Sequence, residues 1–326
     1  MLLTLLLSAV LQAPAAALPQ VSTEAPVEIA PGMHLIRVVP VQGRGPDGNT
    51  VIIEAPDGLI VVDTGRHSQI TDAILAFAKQ RQRPIVAIVN THWHLDHASG
   101  NGRLKAVYPK ARVYTTNAID KVLAPGGFLA RNLEGAKKQF GDVTDPLRRD
   151  EMEIFFATMA ASQELKPDVP LITSGTMSLA GKSLDVRVTD KAVSDADVWI
   201  YDNATRVAVI GDLITMPVPY FETACPDRWR ASLDEVWATP FQTAIPGHGR
   251  PMTRDQLDIY RKSLTEFVSC VRSDRPAAAC GTVWVDSAST LIGDDPARRK
   301  AVAANMEYYV GYLRPNGGKA PDCLAQ

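Results

Sequence analysis

Between His92 and His97 the chain places three of its six histidines and an aspartate, in the run His92-Trp93-His94-Leu95-Asp96-His97. An apolar stretch, Ile85 to Val89, precedes this run and reads as a buried strand. In extended chain His92 and His94 point to the same side, while Asp96 and His97 follow where the chain turns. One short segment therefore offers His92 and His94 to one metal ion and Asp96 and His97 to a second close by. Imidazole and carboxylate donors suit zinc, or iron and manganese.

The rest of the chain reads as strands and helices in two halves. Met33 to Val41 is a first strand. Asn49 to Ala55 and Leu59 to Asp63 form a hairpin about Pro56-Asp57-Gly58. Ser68 caps a helix to about Gln80, with Ile70, Ala73, Ile74 and Phe77 at helical spacing. Gly100 and Gly102 give the backbone freedom just after the ligand run. Arg112 to Thr115 is the next strand. From about 118 to 170 charged, helix-favouring residues replace the strand pattern, which reads as a helical insertion. It serves either as a substrate wall near the active edge or as a helical cover over one sheet. Strands resume at 171–173, 177–179, 184–188, 198–201 and 207–210. A helix at 228–238 and a strand at 243–245 follow, and the tail holds helices near 253–272 and 296–313.

With 34 Lys and Arg against 36 Asp and Glu, the chain has no basic excess for nucleic acid and no polybasic patch for a membrane surface. Leu2 to Leu11 is nearly all apolar and runs into Ala15-Ala16-Ala17, so residues 1–17 read as a secretory signal. The run is too short to span a bilayer, and the expectation is a periplasmic or secreted protein without stable membrane insertion. Its four cysteines, Cys225, Cys270, Cys280 and Cys323, include no Cys-x-x-Cys pair, so disulfides are expected rather than a zinc ribbon. Cys270 with Cys280 and Cys225 with Cys323 is the favoured pairing among the three that four cysteines allow.

The His-x-His-x-Asp-His run behind a strand resembles the signature of the metallo-β-lactamase-fold hydrolases, nearest their glyoxalase II and lactonase branch. Asp212 in Gly-Asp-Leu and His248 in Pro-Gly-His-Gly fall in the family's order. The resemblance implies an α/β fold, a four-layer αβ/βα sandwich over residues 28–251, with the insertion at about 118–170 and a helical extension over 252–326. It further implies metal ligands His92, His94, Asp96, His97, Asp212 and His248, with Asp212 bridging two ions. Asp63 would buttress the ligand loop by hydrogen bonds. At the position of one usual histidine ligand this chain has Val193. One site then keeps His92, His94 and Asp212, and the other keeps Asp96, His97, Asp212 and His248. The expectation is one tightly held zinc and a weaker second, with Ser194, Asp195, Asp190 or His67 as substitutes for the lost ligand.

The function implied is a metal-dependent hydrolase acting on a small ester, lactone, thioester, lactam or sulfate ester. Asp96 would orient the nucleophilic water that the metal makes available near pH 7, and Tyr220 is a candidate hydrogen-bond donor to substrate. Two alternatives are metal-dependent redox chemistry on the same fold, and a binding protein with a partly degraded metal site.

Overall fold

Alternate residues along the central strands are apolar on both faces, so each sheet must be covered on both sides. A computed structural model describes residues 17–324 and shows how this is met. The expected signal at residues 1–17 lies, but for its last residue, outside the described residues. Seven strands form the first sheet in the order Val27–Ala30, Met33–Ile36, Thr50–Ala55, Gly58–Val62, Ile85–Val89, Arg112–Thr115 and Val169–Pro170. The second sheet holds Gly175–Leu179, Lys182–Asp190, Ala196–Asp202, Val207–Thr215 and Thr243–His248.

The pleat divides these strands between three cores. Val51, Ile53, Ile60 and Val89 of the first sheet meet Val186, Val198, Ile200 and Val209 of the second. Their neighbours Ile52, Val61 and Ile88 face outward onto Ile70, Ile74 and Phe77 of helix Ser68–Arg81. On the far side Trp199, Ala208 and Ala244 meet Trp229, Leu257, Trp284 and Met306 of the later helices. The result is the four-layer αβ/βα sandwich. Each fully buried branched side chain contributes roughly 1.5–3 kcal/mol relative to exposure.

The hairpin forms as expected, Ala55 pairing with Gly58 across Pro56 and Asp57. Other boundaries differ. Instead of 171–173, the strand is Val169–Pro170, which pairs with Tyr114 and Thr115; Ile172 has left the sheet and is 76% exposed. The strand expected to close at Gly211-Asp212 continues to Thr215, with register shifts at Gly211. Gly100 lies close against Thr64, where an added Cβ would stand 2.3 Å from the carbonyl oxygen. Its φ of −77° is open to any residue, so close packing, rather than backbone freedom, requires the glycine.

The insertion forms helices Ala118–Leu123, Phe128–Gln139 and Pro146–Ala160. Ile119, Val122 and Leu129 pack on Trp93 of the ligand loop, so the insertion covers the edge where that loop emerges. In the tail, Arg254–Val271 and Pro296–Leu313 are joined by a helix that the sequence pattern did not show, Ala277–Ser287. Its Gly, Thr and Val residues are poor helix formers, but burial of Cys280, Trp284 and Val285 overrides that preference. The two favoured disulfides are present, Cys225–Cys323 and Cys270–Cys280. Among the described residues no helix is long and apolar enough to cross a membrane.

Candidate metal centre

Strand Ile85–Val89 delivers the chain to the sandwich edge, and a one-turn helix, Leu95–Ala98, starts straight after His94. His92 and His94 thus come from the bend between strand and helix, rather than from extended chain, with ring centroids 4.3 Å apart. Asp96 and His97 come from the helical turn. Asp212 arrives from the second sheet at the irregularity after Gly211, and His248 ends the neighbouring parallel strand. Gly247 is required here, because an added Cβ would stand 1.9 Å from Asp212 Oδ1.

These six side chains form two clusters. His92, His94 and Asp212 make one; Asp96, His97 and His248 make the other. Asp212 joins them, its Oδ2 lying 3.7 Å from His92 Nε2 and its Oδ1 3.2 Å from His97 Nε2 and 3.5 Å from His248 Nε2. Asp96 Oδ2 is 3.5 Å from His97 Nε2 and 3.0 Å from His248 Nε2, and the two imidazole nitrogens are 3.3 Å apart. Donors about 2.0–2.1 Å from a tetrahedral ion stand roughly 3.3–3.4 Å from one another. With Asp212 Oδ1 as a fourth donor, five of the six edges of the second cluster are therefore close to those of a tetrahedral shell.

The outer nitrogens of three imidazoles are already engaged. His97 Nδ1 donates to Asp63 Oδ2 at 2.8 Å. His92 Nδ1 donates to Thr91 Oγ1 at 3.0 Å, and that hydroxyl donates to the same carboxylate oxygen at 2.8 Å. His94 Nε2 is 2.9 Å from Thr223 Oγ1. Asp63 thus holds His97 directly and His92 through Thr91, and its backbone takes φ +61°, a left-handed conformation that aspartate tolerates better than most residues. Inside the ring of ligands, His92 Nε2 and Asp212 Oδ1 are buried with no hydrogen-bond partner. Buried polar atoms are nearly always paired, and one orphan at each cluster, His92 Nε2 at the first and Asp212 Oδ1 at the second, fits a cation in each.

The electrostatics agree. Burial, with its imidazole neighbours, holds His92 well below the usual histidine range, and burial holds His94 down at about 4. Both are neutral at pH 7, as ligands must be. Burial works against ionisation of Asp96 and Asp212, but facing His97 and His248 overcome it and hold both carboxyls well below their ordinary value. His97 goes the other way. Burial opposes its protonation, yet Asp212, Asp96 and Asp63 raise it well above the histidine range. The site's carboxylates call for positive charge, which a divalent cation supplies.

The candidate substitutes for the lost ligand lie elsewhere. Val193 is fully buried. His67 is held between Asp47 Oδ2 at 2.5 Å and Glu151 Oε1 at 2.8 Å. Ser194 Oγ donates to Ala196 O, Asp195 pairs with Lys121, and Asp190 is exposed. Tyr220 stands edge-on to His94, and its hydroxyl donates to Glu222 Oε2 at 3.0 Å. Thr91 and Thr223 were missed by sequence reasoning. Thr91 lies beside His92 and was findable there; Thr223 is 129 positions from His94 and carries no local signal.

Asp96, Asp212 and His248 open onto a cavity of about 820 Å³. Phe128, Leu129, Met152 and Phe155 of the insertion form apolar wall, Tyr309 comes from the tail, and three arginines line the cavity: Arg148, Arg66 paired with Glu151, and Arg131 paired with Asp322.

The family model of the metallo-beta-lactamase superfamily matches residues 43–272. A linear primary-alkylsulfatase from a Pseudomonas species is 25% identical over 297 residues, which cover 84% of this chain and 54% of that protein. An (R)-specific secondary-alkylsulfatase, also from Pseudomonas, is 36% identical over 100 residues, covering 29% of this chain and 14% of its own length. The chain spans about half the length of the first of these relatives. Among solved structures, a stereoselective inverting sec-alkylsulfatase from Pseudomonas superposes with TM-score 0.58 at 16% identity, covering 92% of this chain and 51% of that one. A metallo-beta-lactamase from Pontibacter korlensis gives TM-score 0.54 at 17% identity, with 75% and 99% covered. At such identities these superpositions speak for the fold alone.

Proposed function

Because the chain belongs to the metallo-β-lactamase superfamily, we propose that it is an exported, zinc-dependent hydrolase of a small ester with an apolar body and an anionic head, a long-chain alkyl sulfate above all. The observation that carries this reading is the cavity: the metal cluster at one wall, aromatic and aliphatic side chains from the insertion, and three arginines in one space. Both curated relatives reported above are alkylsulfatases, which agrees. The two disulfides fit an oxidising compartment.

Asp96, His97, Asp212 and His248 hold one zinc tightly. His92, His94 and Asp212 hold a second more weakly, since Val193 offers no donor. Bound there, the ions supply Lewis acidity and make water nucleophilic at neutral pH. Asp96, on the cavity wall beside two imidazoles, orients the attacking water. Arg148 attracts the anionic head, with Arg66 and Arg131 beside it already paired to Glu151 and Asp322, while Phe128, Leu129, Met152 and Phe155 hold the tail and exclude solvent. Water adds to the acid half of the ester, and the alcohol leaves with a proton. The Tyr220 hydroxyl, engaged by Glu222, serves as wall beside His94.

The test is zinc-loaded protein against alkyl sulfates of increasing chain length, beside carboxylic esters, lactones, thioesters and β-lactams. Alkyl sulfates should lead, with kcat/KM rising as the chain lengthens. A preference for short or uncharged esters would refute the substrate class, and no turnover of any of them would refute the hydrolase.

A further inference from the structure

The four imidazoles at the centre are not supported alike from outside. His97 donates straight to a carboxylate, and His92 reaches the same carboxylate through Thr91. His94 has no carboxylate behind it. Its Nε2 meets the Thr223 hydroxyl at 2.9 Å, and Thr223 Oγ1 lies 2.7 Å from the carbonyl oxygen of Val193. A hydroxyl has one proton to give, and a carbonyl can only accept. Thr223 therefore donates to Val193 O and accepts from His94 Nε2–H. The relay leaves the His94 Nδ1 lone pair as the only free ring donor.

The relay is built on a fixed base. Thr223 and Val193 are both buried. The amide of Val193 donates to Asp197 Oδ2 at 3.0 Å. Two residues beyond Thr223, the Cys225 amide donates to Ala192 O at 2.8 Å, and Cys225 is tied by disulfide to Cys323. Two loops far apart in sequence are thereby clamped together, with the threonine hydroxyl between them.

We propose that Thr223 is a positioning residue for the three-ligand metal site, locking His94 as the Nε2–H tautomer through the backbone carbonyl of Val193. The residue that withdrew a ligand side chain thus still supports the site through its main chain. Because the last acceptor is a neutral carbonyl, His94 gains less basicity than His97 does from Asp63, which deepens the inequality of the two sites. The inference rests on reading the six side chains as a metal centre.

The test is competition titration of full-length protein with zinc against a chelating dye, resolving two dissociation constants, for wild type, Thr223→Val and Thr223→Ser. Valine keeps the shape and removes the hydroxyl; serine keeps the hydroxyl. Thr223→Val should weaken the looser ion about 10–100-fold, the range for loss of such an outer hydrogen bond, and leave the tighter ion unchanged. Thr223→Ser should restore the looser constant. An unchanged looser constant in Thr223→Val overturns the proposal, as does equal loss of both ions or a wild type that never takes up a second. Two normal constants in a protein inactive on every ester would refute the hydrolase reading and leave the role of Thr223 measured.

Discussion

Two groups of buried histidine and carboxylate lie within reach of one loop, and they differ in how their donors are matched. At the candidate metal centre the outer nitrogens of His92, His94 and His97 are engaged, while two inner atoms, His92 Nε2 and Asp212 Oδ1, are buried without partners. At the second group, His67 has a carboxylate on each ring nitrogen, Asp47 on one and Glu151 on the other. Arg44 Nη1 lies 3.0 Å from the same Glu151 oxygen. As an imidazolium His67 has two donors, and both are used. Glu151 belongs to helix Pro146–Ala160, so this group fastens the insertion to the core. The loop between them serves both: Asp47 holds His67, the Gly48 amide donates to Asp96 O, and Asn49 Nδ2 donates to Pro246 O and Gly249 O. Residue type alone does not separate a ligand cluster from a latch. Glu151 Oε2 also lacks a hydrogen bond, but Arg66 Nη2 stands 3.4 Å from it, so the latch supplies its own cations.

The sharpest way to break that comparison is to remove the shared carboxylate. Asp212→Ala should empty both sites after dialysis and lower kcat/KM by about 10³-fold or more, since metal stabilisation is worth several kcal/mol. Its fold should survive, as read by circular dichroism. Two retained equivalents of zinc would show that Asp212 does not bridge.

The latch should respond in the opposite way. Glu151→Ala takes one of two carboxylates from both His67 and Arg44, which keep Asp47 and Asp150, so the loss should fall somewhat below the about 3–5 kcal/mol of a fully broken buried pair. Urea unfolding should show that loss while zinc content stays unchanged. A variant of unaltered stability would mean that the insertion is held by its apolar contacts alone.

This contrast also marks what the chain discloses unaided. The six clustered side chains were legible because four fall in one short run, while Asp212 follows Gly211 and His248 lies between Gly247 and Gly249, each behind an apolar run. The strands were legible as short apolar runs, while the sandwich followed from the resemblance carried by the His-x-His-x-Asp-His run. The latch was not, because Asp47, His67 and Glu151 sit 20 and 84 positions apart, with no periodicity to link them. His67 was considered as a replacement ligand for that reason: a lone histidine near the ligand loop shows its type and nothing of its partners. Thr223 was invisible in the same way. Helix Ala277–Ser287 was hidden by β-branched residues whose preference tertiary packing overrides.

A smaller effect is expected from refilling the lost ligand position. Val193→His offers an imidazole to the three-ligand site, and the looser zinc should tighten by about 10–100-fold, comparable to the effect of altered ligand support. The cost is overpacking: Val193 is fully buried, and enlarging a buried side chain typically costs about 1–3 kcal/mol. Metal content after dialysis against a mild chelator should rise towards two equivalents as the melting temperature falls. An unchanged second equivalent would place the Val193 side chain outside ligand reach.

The smallest effect expected concerns pH and belongs to the latch alone. Burial disfavours protonated His67, but Asp47 and Glu151 outweigh it and raise its pKa to about 9 from 6.5. Burial disfavours ionised Glu151, but His67, Arg44 and Arg66 outweigh it and lower its pKa to about 2 from 4.5. A raised histidine contributes stability that is fully present below the unfolded value, near pH 6.5, and is lost as pH rises through about 9. A lowered carboxyl contributes stability present above about pH 4.5 and lost as pH falls through about 2. The latch is therefore complete between those unfolded values and loosens on the alkaline side first. Between pH 7 and 9 its loss should be on the order of 1 kcal/mol per pH unit. Urea unfolding at pH 6, 7, 8 and 9 should show wild type losing stability with rising pH more steeply than His67→Gln, whose glutamine does not titrate. Both proteins share every other titrating group, so the difference between the two curves isolates His67. Parallel curves would mean that His67 carries no extra proton in the folded protein, and the matched-donor account of the latch would fail.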